Sequence, residues 1–156
     1  MLLDSAIARI PLALSELKLP FNWLCGPSNR TLGDPSYVAT QHAFQGLGQR
    51  PLSPVRIKGT RLAGGDLTIA WLRRTRIGGD SWELPDVPLS EDFERYELDV
   101  MTGAIVKRTI VAATTTALYT SAQQVADFGS PQASISVRIQ QMSALYGRGA
   151  ARVAIL

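Results

Sequence analysis

The stretch ERYELDVM, residues 94–101, constrains the fold more than any other. Tyr96, Leu98 and Val100 alternate with Arg95, Glu97 and Asp99. Successive side chains of a strand point to opposite faces, so this period of two is that of a strand with one buried and one wet face. The pattern predicts Tyr96, Leu98 and Val100 inside and the three charged residues outside. Thr102-Gly103 then reads as a tight turn into AIVKRTIVA (104–112), which makes the pair a hairpin.

The same alternation recurs along the chain. LTIAWLRRT (67–75) puts Leu67, Ile69 and Trp71 on one face, and ASISVRIQQMSA (133–144) sets Ile135, Val137 and Ile139 inward against Ser136, Arg138 and Gln140. SPVRIKGTR (53–61), TALYTSA (116–122) and the closing AARVAIL bring the candidates to seven strands, separated by turn signals. QQVADFGSPQ (123–132) reads as a polar connection, and no amphipathic helix of length competes. Seven short strands in this spacing predict an all-β fold, a sandwich of two antiparallel sheets. Its expected core is Leu67, Ile69, Trp71, Tyr96, Leu98, Val100, Ile135, Val137 and Ile139.

Residues 1–54 have another texture, punctuated by Pro11, Pro20, Pro27, Pro35, Pro51 and Pro54. LLDSAIARIPLAL (2–14) is expected to begin as a strand, with a helix as the alternative only over 12–18. SYVATQHAFQGL (36–47) reads as a second strand, with Tyr37, Ala39, Gln41 and Ala43 on one face. CGPSNRTLGDPS (25–36) between them is turn-forming. The division expected is a small β-rich module over 1–54 and the sandwich over 55–156.

Chemistry has few places to reside. One cysteine, Cys25, and one histidine, His42, cannot assemble a Cys/His zinc set. Cys25 is expected to be a small buried apolar side chain. No G-x-S-x-G elbow accompanies His42, which leaves a serine triad without its nucleophile. A net charge of +3 is too small to mark a nucleic-acid binder. No apolar run reaches the ~20 residues of a membrane-spanning helix, and the first residues lack the basic-then-apolar order of a secretory signal.

WLRRTRIGGDSW (71–82) invites a phosphate-loop reading, but no helix follows its glycines. It reads instead as a strand leaving its sheet through Arg73, Arg74 and Arg76 into a Gly-Gly-Asp turn and a long connection that ends near Phe93. Asp80, Glu83, Asp86, Glu91, Asp92 and Glu94 crowd that connection. They lie in a polar, proline-punctuated segment, where no carboxyl is expected to reach the raised pKa of a glycosidase acid, and they lack calcium-ligand spacing. The candidate protein-interface or host-contact residues are Arg73, Arg74, Arg76, Trp82 and Phe93, since Trp and Arg are enriched where proteins meet. Tyr119, Trp82 and Trp23 offer an alternative, the stacking platform of a carbohydrate-binding module for host glycans. No catalytic residue, metal site or cofactor is assigned.

Two resemblances extend this reading. Residues 53–156 resemble a fibronectin type III domain. Trp71 stands at that family's strand-B tryptophan and Tyr96 at the aromatic of strand C. Val137, Arg138, Ile139, Gly147 and Gly149 match its final strand pair, while Ile135 takes the place of its tyrosine. More narrowly, RPLSPVRIKG, WLRRTRIGGDSWE, VPLSEDFERYELDV and ADFGSPQASISVRIQQMSALYGRGAA together resemble the C-terminal end of a large tail protein. It is the baseplate or tail-tip (host-specificity) protein of siphophages and of gene transfer agents of alphaproteobacteria. GPSNRTLGDPSYV resembles the family's segment before the sandwich.

That resemblance implies a virion structural protein made in the host cytoplasm. It would sit in a threefold-symmetric, homotrimeric tail tip and touch baseplate, hub and tail-fibre proteins. The first half of that large protein often carries a TIM-barrel-like glycoside-hydrolase-type domain with no counterpart in these residues, so any enzymatic activity suspected there is not expected to carry over. The resemblance therefore implies a split gene or a fragment, and no enzyme.

Overall fold

In the computed structural model, residues 10–81, 83 and 86–156 are described. The chain divides into two compact units, Met1–Gly48 and Gln49–Leu156. The division falls before 54 because Arg50 and Pro51 belong with the second unit. The Pro51 carbonyl accepts the Ala150 N–H at 2.9 Å, and Arg50 Nη2 donates to the Gly149 carbonyl at 3.3 Å.

The second unit is the sandwich. Its first sheet runs β3(Val55–Arg61), β4(Leu67–Leu72), β7(Thr116–Tyr119). Its second runs β10(Arg152–Ile155), β8(Ser136–Ser143), β5(Tyr96–Thr102), β6(Ile105–Ala112), with the short β9(Gly147–Arg148) on β8. All these pairings are antiparallel. All seven expected sandwich strands form, and this is an all-β, fibronectin type III-like architecture. Every expected core residue is buried, and Trp71 meets Tyr96 edge-to-face at 5.2 Å. Ala112, Ala117 and Tyr119 complete the cluster.

Three sequence readings fail in this unit. QQVADFGSPQ is not an extended connection, since Ser121–Phe128 forms a helix, α1. Thr120 Oγ1 accepts the Gln123 N–H at 3.1 Å and Gln123 Oε1 accepts the Thr120 N–H at 3.0 Å, a capping box that satisfies two otherwise orphaned donors. Gly129, at φ 82, closes the helix, where a left-handed residue is needed. So short a helix is marginal alone. Buried Gln124 anchors it, donating to the carbonyls of Gly65 and Tyr119 and accepting from Arg61.

Asp99 and Gln140, expected on the wet face, are fully covered. Their strands do alternate, but Thr109, Arg138 and Arg148 close around Asp99, and Gln140 donates its amide to the same carboxylate. The hairpin turn after β5 is Gly103-Ala104, because Thr102 still pairs with Ile105.

The first unit is a two-stranded hairpin of β1(Pro20–Cys25) and β2(Val38–Ala43), in the register Pro20↔Ala43 to Cys25↔Val38. Strand β1 was not anticipated, although Phe21 and Trp23 already alternate there. They share a face with Thr40 and His42 rather than with Ala39 and Gln41. Phe21, Trp23, Phe44 and His42 contact one another in a row, with ring centroids 4.5–6.1 Å apart. The strand expected over 2–14 falls mostly outside the described residues, and Leu14–Glu16 is a single 3-10 turn. Cys25 is exposed, not buried. Strand β1 pairs with β2, and no described residue from 10 to 48 is fully buried.

Candidate functional site

The connection from β4 to β5 carries the expected interface residues. Gly78, at φ 64, supplies the left-handed corner of the turn that Gly78-Gly79 was read to make. Beyond it the segment is folded onto its own arginines. Arg73 donates through Nε and Nη2 to the Val87 carbonyl at 3.1 and 2.7 Å. It also pairs with Asp86 at 2.8 Å and Glu94 at 3.1 Å. Arg76 pairs with Glu91 at 2.8 Å and reaches the Ser90 carbonyl. The Thr75 and Ser90 hydroxyls bond to each other between these two clamps.

The five candidates therefore separate. The side chains of Arg73 and Arg76 are only 15% and 17% exposed and are committed within the loop. These bonds hold the connection in shape and leave little of either side chain open to a partner. Arg74 and Phe93 are exposed and remain accessible. Trp82 lies outside the described residues. Asp86, Glu91 and Glu94 of the acidic cluster pair with the same arginines, but only Asp86 is solvated, at 64% exposed against 27% for Glu94 and 6% for Glu91.

A second polar constellation, not anticipated, covers the outer face of the four-stranded sheet. Asp99 on β5 accepts from Thr109 Oγ1 at 2.7 Å, from Arg138 Nη2 at 2.7 Å and Nε at 3.1 Å, and from Gln140 Nε2 at 3.3 Å. Arg148 stands 3.6 Å away and pairs with Glu97 at 2.6 Å. Burial alone would raise the Asp99 pKa. The hydrogen bonds from Thr109, Arg138 and Gln140 and the charge of Arg148 outweigh it and hold the carboxyl below its ordinary range. The signal was present in the register, since Asp99 lies directly opposite both Thr109 and Arg138.

A third constellation fixes α1. Arg108 grips Asp127 with two bonds, at 2.7 and 2.8 Å, and Tyr119 Oη donates to Asp127 Oδ2 at 2.7 Å. The Arg108 bond holds the Asp127 carboxyl low, against a smaller opposing effect of burial. Burial and the Asp127 bond push the Tyr119 phenol up. Tyr119 is 0% exposed, so it cannot stack on a sugar, and the platform built on Tyr119, Trp82 and Trp23 loses its central member.

Asp34, Asp99 and Asp127 all shift downward, opposite to what an acid catalyst requires. Among the described residues no three His, Cys, Asp or Glu side chains converge as metal ligands. No helix among them is long and apolar enough to cross a membrane.

No protein-family model and no curated protein matches the sequence. Among solved structures, domains d3-d4 of the extracellular region of rat CD45 are similar at 12% identity and TM-score 0.45, over 100% of this chain and 72% of that one. The FN5 domain of Drosophila Lar is similar at 14% identity and TM-score 0.39, over 68% of this chain and 94% of that one.

Proposed function

We propose that the chain is a non-catalytic structural component of a phage tail tip or baseplate, and that its work is assembly. Its partners in this reading are other baseplate, hub and tail-fibre proteins around a threefold axis, with contact to the host surface as a further role. The tail-tip identity rests on the sequence resemblance.

One structural observation supports the assembly role. Leu14, Leu19, Leu24, Leu32, Val38 and Leu47 of the first unit are 50–77% exposed, while no described residue there is fully buried. A lone two-stranded hairpin is at best marginally stable in water, and burying these side chains against a neighbouring subunit would stabilise it. Chains that work in assemblies are built this way.

The test is a gold-labelled tag on this chain in purified tailed particles. Label at the distal end of the tail supports the reading, and label confined to the head or absent from particles overturns it. The non-catalytic part is tested separately. Release of reducing sugar from peptidoglycan by the purified chain, at a rate proportional to its concentration, overturns that part.

A further inference from the structure

Between β3 and β4 of the three-stranded sheet lies a small, partly open cavity of about 200 Å³ lined by Arg56, Lys58, Ala70, Trp71 and Leu72. Its geometry originates in a β-bulge. Val55 pairs with Leu72 and Lys58 with Ala70, so β3 contains one residue more than β4 in this interval. Ile57 packs toward the core, and Arg56 takes up the extra length at φ 50, a left-handed conformation unfavourable for a side chain of its size. Bulges re-aim side chains, and strained residues persist where the surroundings hold them. Here Arg56 and Lys58 come to line the same cavity.

The cavity is chemically lopsided. Ala70 and Leu72 are apolar, while the Trp71 ring is turned into the core against Tyr96. Arg56 and Lys58 are both exposed, and neither has a hydrogen bond or ion pair among the described residues. Two neighbouring cations repel each other, and an anion between them relieves that repulsion. The volume lies below that of sites for drug-sized ligands, which start at about 300 Å³. It accommodates one short group. Beside apolar walls, desolvation penalises a doubly charged phosphate more than a singly charged carboxylate, and arginine pairs with carboxylates through two parallel bonds.

We infer that this cavity binds a carboxylate on a short apolar stem, with Arg56 and Lys58 holding the anion and Ala70 and Leu72 taking the stem. A free short-chain acid and an acidic side chain of a protein share that chemistry.

Nuclear magnetic resonance titration of the full chain distinguishes them. The probes are sodium butanoate, an acetylated and amidated Ala-Glu-Ala peptide, and inorganic phosphate, at matched ionic strength. The readout is the backbone amides of Ala70, Trp71 and Leu72. Saturable shifts with a dissociation constant on the order of millimolar are expected. Arg56→Gly tolerates the backbone conformation and is expected to keep the melting temperature while weakening binding about tenfold, as is Lys58→Gln. Butanoate binding alone assigns a free acid, and peptide binding alone assigns a protein side chain; either supports the site. Absence of saturable shifts with both overturns it. So do affinities unchanged in both variants, or phosphate binding tighter than butanoate.

Discussion

Asp99→Asn is the substitution that most exposes how the four-stranded sheet is held. It preserves shape, removes the charge and converts one acceptor oxygen into an N–H donor. Asp99 is 0% exposed and accepts from three side chains on two neighbouring strands, β6 and β8. Hydrogen bonds to charged groups are worth about 1.5–3 kcal/mol each, and breaking a buried ion pair costs about 3–5 kcal/mol. Arg138 and Arg148 are 33% and 51% exposed, so both recover water when the carboxylate is lost. The net loss is therefore set at about 2–4 kcal/mol, less than the sum of the bonds.

Urea denaturation at neutral pH, followed by tryptophan fluorescence, measures it. The acid limb gives a second readout. The folded Asp99 carboxyl lies below its unfolded value of about 3.9, so its contribution is present above that pH and is lost as pH falls toward the folded value. Asp99→Asn should flatten the acid limb. A loss under about 1 kcal/mol, or an acid limb that keeps its slope, would refute the reasoning.

Three further outcomes follow from the same geometry. Glu91→Gln removes the charge facing Arg76 and should cost about 1–3 kcal/mol locally, read as faster amide exchange over residues 76–81 and 87–93; unchanged exchange contradicts the clamp. Gly26→Ala places a Cβ 2.4 Å from the Tyr37 ring, so the turn in which Tyr37 Oη reaches the carbonyls of Pro27 and Arg30 should rearrange. Unaltered Tyr37 ring shifts would argue against that packing. Tyr96 and Tyr119 have phenols raised above the ordinary value of about 10, so stability they contribute is present below pH 10 and lost as pH rises above it. Alkaline denaturation should thus be less steep in the Tyr96→Phe and Tyr119→Phe variants, and an identical slope in both contradicts the assigned burial.

The sandwich was legible because its information is local. Period-two alternation names both the strands and the residues they bury, and nothing in the fold overrode it at Leu67, Ile69, Trp71, Leu98 or Val137. What was not legible depends on neighbours. Alternation says which way Asp99 points but not that Arg138, Arg148 and Gln140 will lie over it. Helix α1 was hidden because its stability comes from Gln124 and Asp127 gripping distant strands, although Thr120, Gln123 and Gly129 did carry its caps. Arg73 and Arg76 were named as residues that matter, yet their partners, Val87, Asp86, Glu94 and Glu91, lie 10 or more positions along the chain. Composition could not distinguish a clamp from a contact. The bulge at Arg56 leaves no mark in the sequence, since arginine is not a residue that prefers a left-handed backbone.

As an assembly part, the chain would have its exposed apolar side chains covered by other subunits. A cryo-electron microscopy reconstruction of intact tailed particles that carry the chain tests it most directly. The account predicts density for the sandwich at the tail tip, with Leu24, Val38 and Leu47 against a neighbouring subunit. A tip without this chain, or one in which those three side chains face solvent, would contradict it.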